Sequence, residues 1–204
     1  MKREKIMKRI IVTTAVILAF LGLSGCASMM RESQNQQLAG ADDNRAKVVF
    51  MRSSFVAGAI GVELFDVTDG ELKFIGQLPS GNKVVYDTTP GDKVFMAYGT
   101  AADFMTANLV GGKTYYSIVR PNWGTGGFAP TPIRKDGPSE SMKSKEFSDW
   151  MSGTKRIEPT EEAGKWFIEN KARYQAIYAD YWARFQRKND SEKAQRRLNA
   201  DDWM

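Results

Sequence analysis

From Ala46 to Val119 the chain is cut into short runs rich in Val, Phe, Tyr and Ile by turn-forming residues such as Asp69-Gly70, Ser80-Gly81-Asn82, Pro90-Gly91 and Gly111-Gly112. No other feature restricts the fold so strongly. A helix needs an unbroken periodic stretch of ten residues or more, whereas strands of four to eight residues between turns build an antiparallel sandwich or barrel. The pattern predicts strands at 47–52, 59–67, 71–77, 83–87, 93–98, 105–110 and 113–119. The expected fold is mainly β, an antiparallel β-sandwich of about seven strands, followed by a short helix and a long C-terminal α-helix. Asp69-Gly70 suits the type I′ turn of a tight hairpin, in which both central residues take positive φ. The 59–77 segment is therefore expected to be such a hairpin. Tyr115 and Tyr116 point to opposite faces of one strand, which predicts a core residue and a surface or inter-layer residue.

The first 25 residues are of another kind. A cationic stretch, residues 1–9, precedes an apolar run of 14 residues, 10–23, too short to span a bilayer comfortably and suited to the apolar part of a secretory leader. Leu23-Ser24-Gly25-Cys26 follows at once. The tetrapeptide resembles the lipobox of bacterial lipoproteins, and the resemblance implies cleavage between Gly25 and Cys26 and acylation of Cys26. Lipidation by two or three chains holds a protein stably on a membrane without a spanning helix. By the same resemblance, Ala27 and Ser28 lack the aspartate that retains enterobacterial lipoproteins in the inner membrane. The expected location is the periplasmic side of the outer membrane. Residues 27–45 are polar and aperiodic, and as a flexible tether they would span ~25 Å. The predicted organisation is thus a leader (1–25), a lipidated cysteine with its tether (26–45), a β-sandwich domain with a Pro/Gly-rich loop (46–138) and a C-terminal helical region packing on it (139–204).

Composition removes several function classes. The net charge is +5, but Lys2, Arg3, Lys5, Lys8 and Arg9 against Glu4 give the leader a surplus of four, leaving the remainder near +1. Nucleic acid is therefore not expected as a partner. Histidine is absent and Cys26 is the single cysteine, which excludes Ser-His-Asp and Cys-His nucleophile systems, CxxC redox motifs and histidine-containing zinc sites. No cofactor, metal site or catalytic residue is implied. Carboxylate pairs such as Glu63 with Asp66, or Asp87 with Asp92, occupy ordinary strand and turn positions. They make a hydrolase the weakest reading, and the chain is not expected to be an enzyme.

Pro90-Gly91-Asp92-Lys93-Val94, leading into a strand, and Leu109-Val110-Gly111-Gly112-Lys113-Thr114-Tyr115-Tyr116 resemble a family of small bacterial lipoproteins of unknown function, across about residues 46–120. The resemblance implies a lipobox followed by a β-sandwich. It carries no chemistry, and Lys93 stands where many members have histidine.

The loop 120–138 holds four prolines and four glycines. Regular structure is expected there only in a short extended piece near 131–134. Its aromatic residues Trp123 and Phe128 either pack on the sandwich or meet a partner. Residues 140–152 are expected to be helical, with Met142, Phe147, Trp150 and Met151 on one stripe. Thr160 followed by Glu161-Glu162 announces a second helix running to about Lys188. Its apolar positions recur every three or four residues and include Trp166, Phe167, Tyr174, Tyr178, Tyr181, Trp182 and Phe185. This stripe either covers the exposed face of the chain's own sandwich or overhangs from Tyr174 onward to bind another protein or the membrane surface. Residues 189–204 are expected to be frayed or weakly helical. The functional expectation is a membrane-anchored, noncatalytic structural or protein-interaction module of the envelope that binds an envelope protein; the alternative is a glycan-binding or small-ligand-binding lipoprotein using exposed aromatics.

Overall fold

A computed structural model describes residues 29–54, 56, 58, 60–124, 126–137 and 140–204. The leader, Gly25, Cys26, Ala59 at the head of the expected hairpin and the expected 138/139 boundary lie outside the described residues. The strands are β1 (Met30–Glu32), β2 (Ala46–Arg52), β3 (Val62–Asp66), β4 (Lys73–Leu78), β5 (Asn82–Thr88), β6 (Gly91–Tyr98), β7 (Ala102–Leu109), β8 (Thr114–Asn122), β9 (Gly127–Ile133), β10 (Lys155–Pro159) and β11 (Arg197–Leu198). The helices are α1 (Lys145–Gly153), α2 (Glu161–Gln186) and α3 (Asp190–Gln195).

The strands form a six-stranded sheet ordered β1-β10-β5-β2-β8-β9 and a five-stranded sheet ordered β11-β7-β6-β3-β4. All seven strands read from the sequence are present, with four more, and the sheets are mixed rather than antiparallel. β2 runs parallel to β8, β10 to β5 and β11 to β7. The added strands are short or proline-bearing, so neither alternation nor β-propensity marks them.

Period-2 alternation sorts the side chains into layers. In β2, Val48 and Phe50 enter the core between the sheets, while Val49 and Met51 face outward into a separate cluster. Phe50 meets Phe95 of the other sheet edge-on at 5.3 Å. The outward cluster is roofed by α1, whose Phe147 lies 5.1 Å from Tyr116. Tyr115 is in the central core and donates its hydroxyl to the Ala200 carbonyl at 2.9 Å. On the opposite outer face Phe65, Met96 and Phe104 lie under α2. The order of layers is thus helix, sheet, sheet, helix, which explains why β2 and β3 are buried along both faces, Glu63 and Asp66 of β3 included.

Four local expectations need correction. The hairpin joining β3 to β4 is not a type I′ turn: Gly70 has φ +79°, Asp69 does not take positive φ, and the Gly70 amide closes the turn on the Val67 carbonyl. The Asp66 carboxylate binds the Thr68 amide and hydroxyl, which favours an ordinary first turn before the glycine. The segment 27–45 is not a free tether over its described part. Met30 is buried in the core, the Ser33 amide bonds to the Arg156 carbonyl, and Arg156 holds the Asn35 and Gln37 carbonyls. Further along, the Gly112 amide bonds to the Asp42 and Arg45 carbonyls, and any side chain on Gly111 would strike the Asp43 carbonyl. The Pro/Gly-rich loop is largely strand: β9 pairs with β8 from Gly127 to Ile133. Pro130 and Pro132 are tolerated because β9 is an edge strand with no ladder to feed on its far side. Lastly, 189–204 is not frayed. A capping box at Asn189 and Glu192 opens α3, Leu198 is fully buried, and the Met204 amide bonds to the Thr114 carbonyl.

Candidate functional site

The helix predicted to open at Thr160 does so: its side chain accepts from the Ala163 amide, and the helix runs to Gln186. Its aromatic stripe is spent on the five-stranded sheet. Tyr174 is buried among Phe65 at 5.1 Å, Tyr98 at 5.5 Å and Trp166 at 5.5 Å. Burial, followed by the charge of Glu63, pushes its phenol up to about 12. Tyr178 and Trp182 lie against Phe104 at 6.1 Å and 5.0 Å, and Phe185 closes the same cluster. Tyr181 is half-buried under the Arg184 guanidinium. The overhang from Tyr174 onward is therefore not found, and the stripe packs inside the molecule.

The two aromatic residues of the 120–138 segment part company. Phe128 is buried in the central core, with the guanidinium of Arg52 4.5 Å above its ring. It is a core residue, not a surface contact. Trp123 is 81% exposed at the turn between β8 and β9. Such exposure is uncommon for tryptophan, which is well buried on average.

Trp123 stands on the rim of a groove of about 570 Å³ between the β8–β9 edge and the residues after α3. Three guanidinium groups line it: Arg120 from β8, Arg134 just after β9 and Arg196 just after α3. Each is held. Arg120 pairs with Glu140, Arg196 pairs with the buried Asp103 at 3.2 Å and donates to the Thr131 hydroxyl at 3.2 Å, and Arg134 donates to the Ala194 and Arg197 carbonyls at 2.6 and 3.1 Å. Asp103 also accepts from the Asn122 amide group at 2.7 Å, which fixes the chain next to Trp123. Glu140 has φ +47°, the one described non-glycine residue in the left-handed region. That conformation is costly and concentrates at functional sites.

The sequence pointed to Trp123 but not to the arginines. Arg120 and Arg134 bracket its loop; Arg196 comes from the far end of the chain, where no local pattern announces it. Of the carboxylates that the sequence suggested as pairs, Glu63 and Asp66 turn to opposite faces of β3. Glu63 faces α2 and accepts from Gln77 at 3.1 Å, whereas Asp66 points between the sheets and accepts from Tyr86 at 2.9 Å. Burial pushes the Glu63 carboxyl up, against the Gln77 hydrogen bond and the Arg173 charge. Asp87 and Asp92 are both exposed, the latter bonded to Asn108. Among the described residues there is no cluster of three metal-ligating side chains and no helix long and apolar enough to cross a membrane.

In class, this is a two-sheet β body sheathed by helices, with a cationic groove at one sheet edge. No family model and no curated protein matches the chain. A solved structure with some likeness is the NMR structure of a protein from Eubacterium rectale, at 10% identity and a TM-score of 0.30, covering 47% of this chain and 93% of that one.

Proposed function

We propose that the chain is a lipid-anchored, noncatalytic module of the cell envelope, held through Cys26 on the periplasmic side of the outer membrane, where it engages an envelope partner. The observation that carries the proposal is the lipobox Leu23-Ser24-Gly25-Cys26, directly behind a short apolar run and carrying the chain's single cysteine. The resemblance of the Pro90-Gly91 turn and the Lys113–Tyr116 strand to small bacterial lipoproteins is in keeping with it. The divergent settings of Glu63 and Asp66 support a noncatalytic role, because acid and base must share a cleft ~5 to 9 Å apart. The test is radiolabelled palmitate incorporation with intact-mass analysis of the mature protein and membrane fractionation. Label in the outer-membrane fraction, lost in Cys26→Ser, is the expected result. An unacylated Cys26 overturns the anchor.

With the α2 stripe consumed internally, the exposed Trp123 and its groove favour the second reading, in which the anchored body binds a glycan or small ligand.

A further inference from the structure

We infer that the groove lined by Arg120, Arg134 and Arg196 binds a sugar carrying an anionic group, the ring lying on Trp123 and the anion meeting the guanidinium groups. The inference rests on the ligand-binding reading above but not on acylation of Cys26. Its first support is charge. The lining carries three arginines against one carboxylate, Glu140; Asp103 sits behind Arg196. Arg134 is positioned by two carbonyl dipoles and appears in none of the ion pairs among the described residues. Its positive charge is therefore left for an incoming anion, and a planar guanidinium presents the paired donors that carboxylate and phosphate oxygens fit.

Preorganisation is the second support. Arg196 and Asn122 both bind one oxygen of Asp103, so a cation of the groove and the chain that bears the indole are tied to one buried carboxylate. Binding then costs little side-chain entropy, the main penalty for long charged residues. Arg120 is engaged on the groove by one carboxylate, that of Glu140, whose place an incoming anion can take. The third support is shape. A groove of about 570 Å³ is the size of small-ligand sites, in which a few convergent polar groups fix orientation. Trp123 gives it a flat apolar wall, suited to the C–H face of a pyranose; an inorganic ion alone would make no use of the indole.

Carboxylate and phosphate are the two sources of such an anion, and the probes separate them. Binding to the purified full-length protein in detergent is read by calorimetry and tryptophan fluorescence, using N-acetylmuramic acid, glucose 6-phosphate, N-acetylglucosamine and inorganic phosphate. Binding of either anionic sugar, weakened by salt and at least about tenfold stronger than that of N-acetylglucosamine or inorganic phosphate, is expected, since the neutral sugar forgoes the charged hydrogen bonds and inorganic phosphate forgoes the indole. Which sugar binds identifies the anion. Trp123→Ala, at a position too exposed to affect folding, and Arg134→Gln, with its fold checked by circular dichroism, should each reduce affinity about tenfold or more. Equal binding of the neutral sugar, no binding of either anionic sugar, or undiminished binding by Trp123→Ala overturns the proposal. Palmitate labelling is unaffected by any of these outcomes, so failure of the groove and failure of the anchor are distinguishable.

Discussion

Arg52 closes β2 with a side chain that has no access to solvent. Its guanidinium donates to the Ile60 carbonyl and, at 3.0 Å, to the Leu78 carbonyl, and covers the Phe128 ring. Burial lowers its affinity for the proton but leaves it a cation. It ties the end of β2 to β4 in the other sheet and to β9, at a point where apolar packing alone would leave carbonyls unsatisfied. Arg52→Ala removes the packing of the stem, the cation–π contact and both hydrogen bonds. A loss of about 3 kcal/mol in urea unfolding is expected, and a loss below about 1 kcal/mol would mean that water replaces the guanidinium. Glu63 is the opposite case, a buried carboxyl the fold would rather keep protonated. Its folded pKa lies above the unfolded value, so the ionised group lowers stability at neutral pH, and the cost disappears once pH falls below the unfolded value near 4.3. Glu63→Gln keeps an acceptor for Gln77 and is neutral throughout. The variant should melt higher than the parent at pH 7 and equal to it below about pH 4, as thermal scans across that range will read.

α2 shows how a propensity signal and a packing partner combine. Its cap at Thr160 and its acidic first turn were legible because capping is local chemistry, and Thr160→Ala should cost about 1 kcal/mol by chemical denaturation. Most of the helix's hold comes from its aromatic stripe, and Phe104 is the ring on which three of its side chains converge. Phe104→Ala should destabilise by about 3 to 5 kcal/mol and speed hydrogen exchange along the second half of α2; slow exchange there would show that the first half carries the docking. The spacing of the apolar residues could foretell a stripe but not its partner, because the sheet face it covers is built from β3, β4, β6 and β7, far away in sequence. β10 escaped notice for a similar reason. Lys155–Pro159 has one buried residue, Ile157, and its strand character comes from β1 and β5 on either side. Of β9 only the piece near 131–134 was legible, because its prolines, which only an edge position permits, masked the rest, and the groove beside it was hidden as well. The seven strands from β2 to β8 were readable because turn residues bound each of them locally.

At the scale of the whole molecule, the ordering of residues 29–45 changes what a lipid on Cys26 would do. The Thr160 amide and hydroxyl both bind the Met29 carbonyl, so the chain is fixed to the body three residues after Cys26. Three residues reach at most ~11 Å. With Cys26 acylated as proposed, the β1 edge and the start of α2 must therefore rest at the headgroups, instead of the body standing ~25 Å clear on a flexible coil. β1 and β9 are opposite edges of the six-stranded sheet, five strand intervals apart, or ~24 Å at the usual spacing. The groove beside β9 is then carried away from the bilayer, open to soluble ligands. Cys26 is the single cysteine; with its thiol consumed by the lipid as proposed, an introduced cysteine is the only free one and takes a nitroxide label cleanly. Arg31→Cys and Trp123→Cys, both at exposed positions, report the two edges in vesicle-bound protein. The label at 31 should be shielded from a water-soluble paramagnetic relaxant, and the label at 123 should collide with it freely. Equal collision rates at the two positions would mean that β1 peels from β10 on the membrane and that residues 27–45 act as a tether after all.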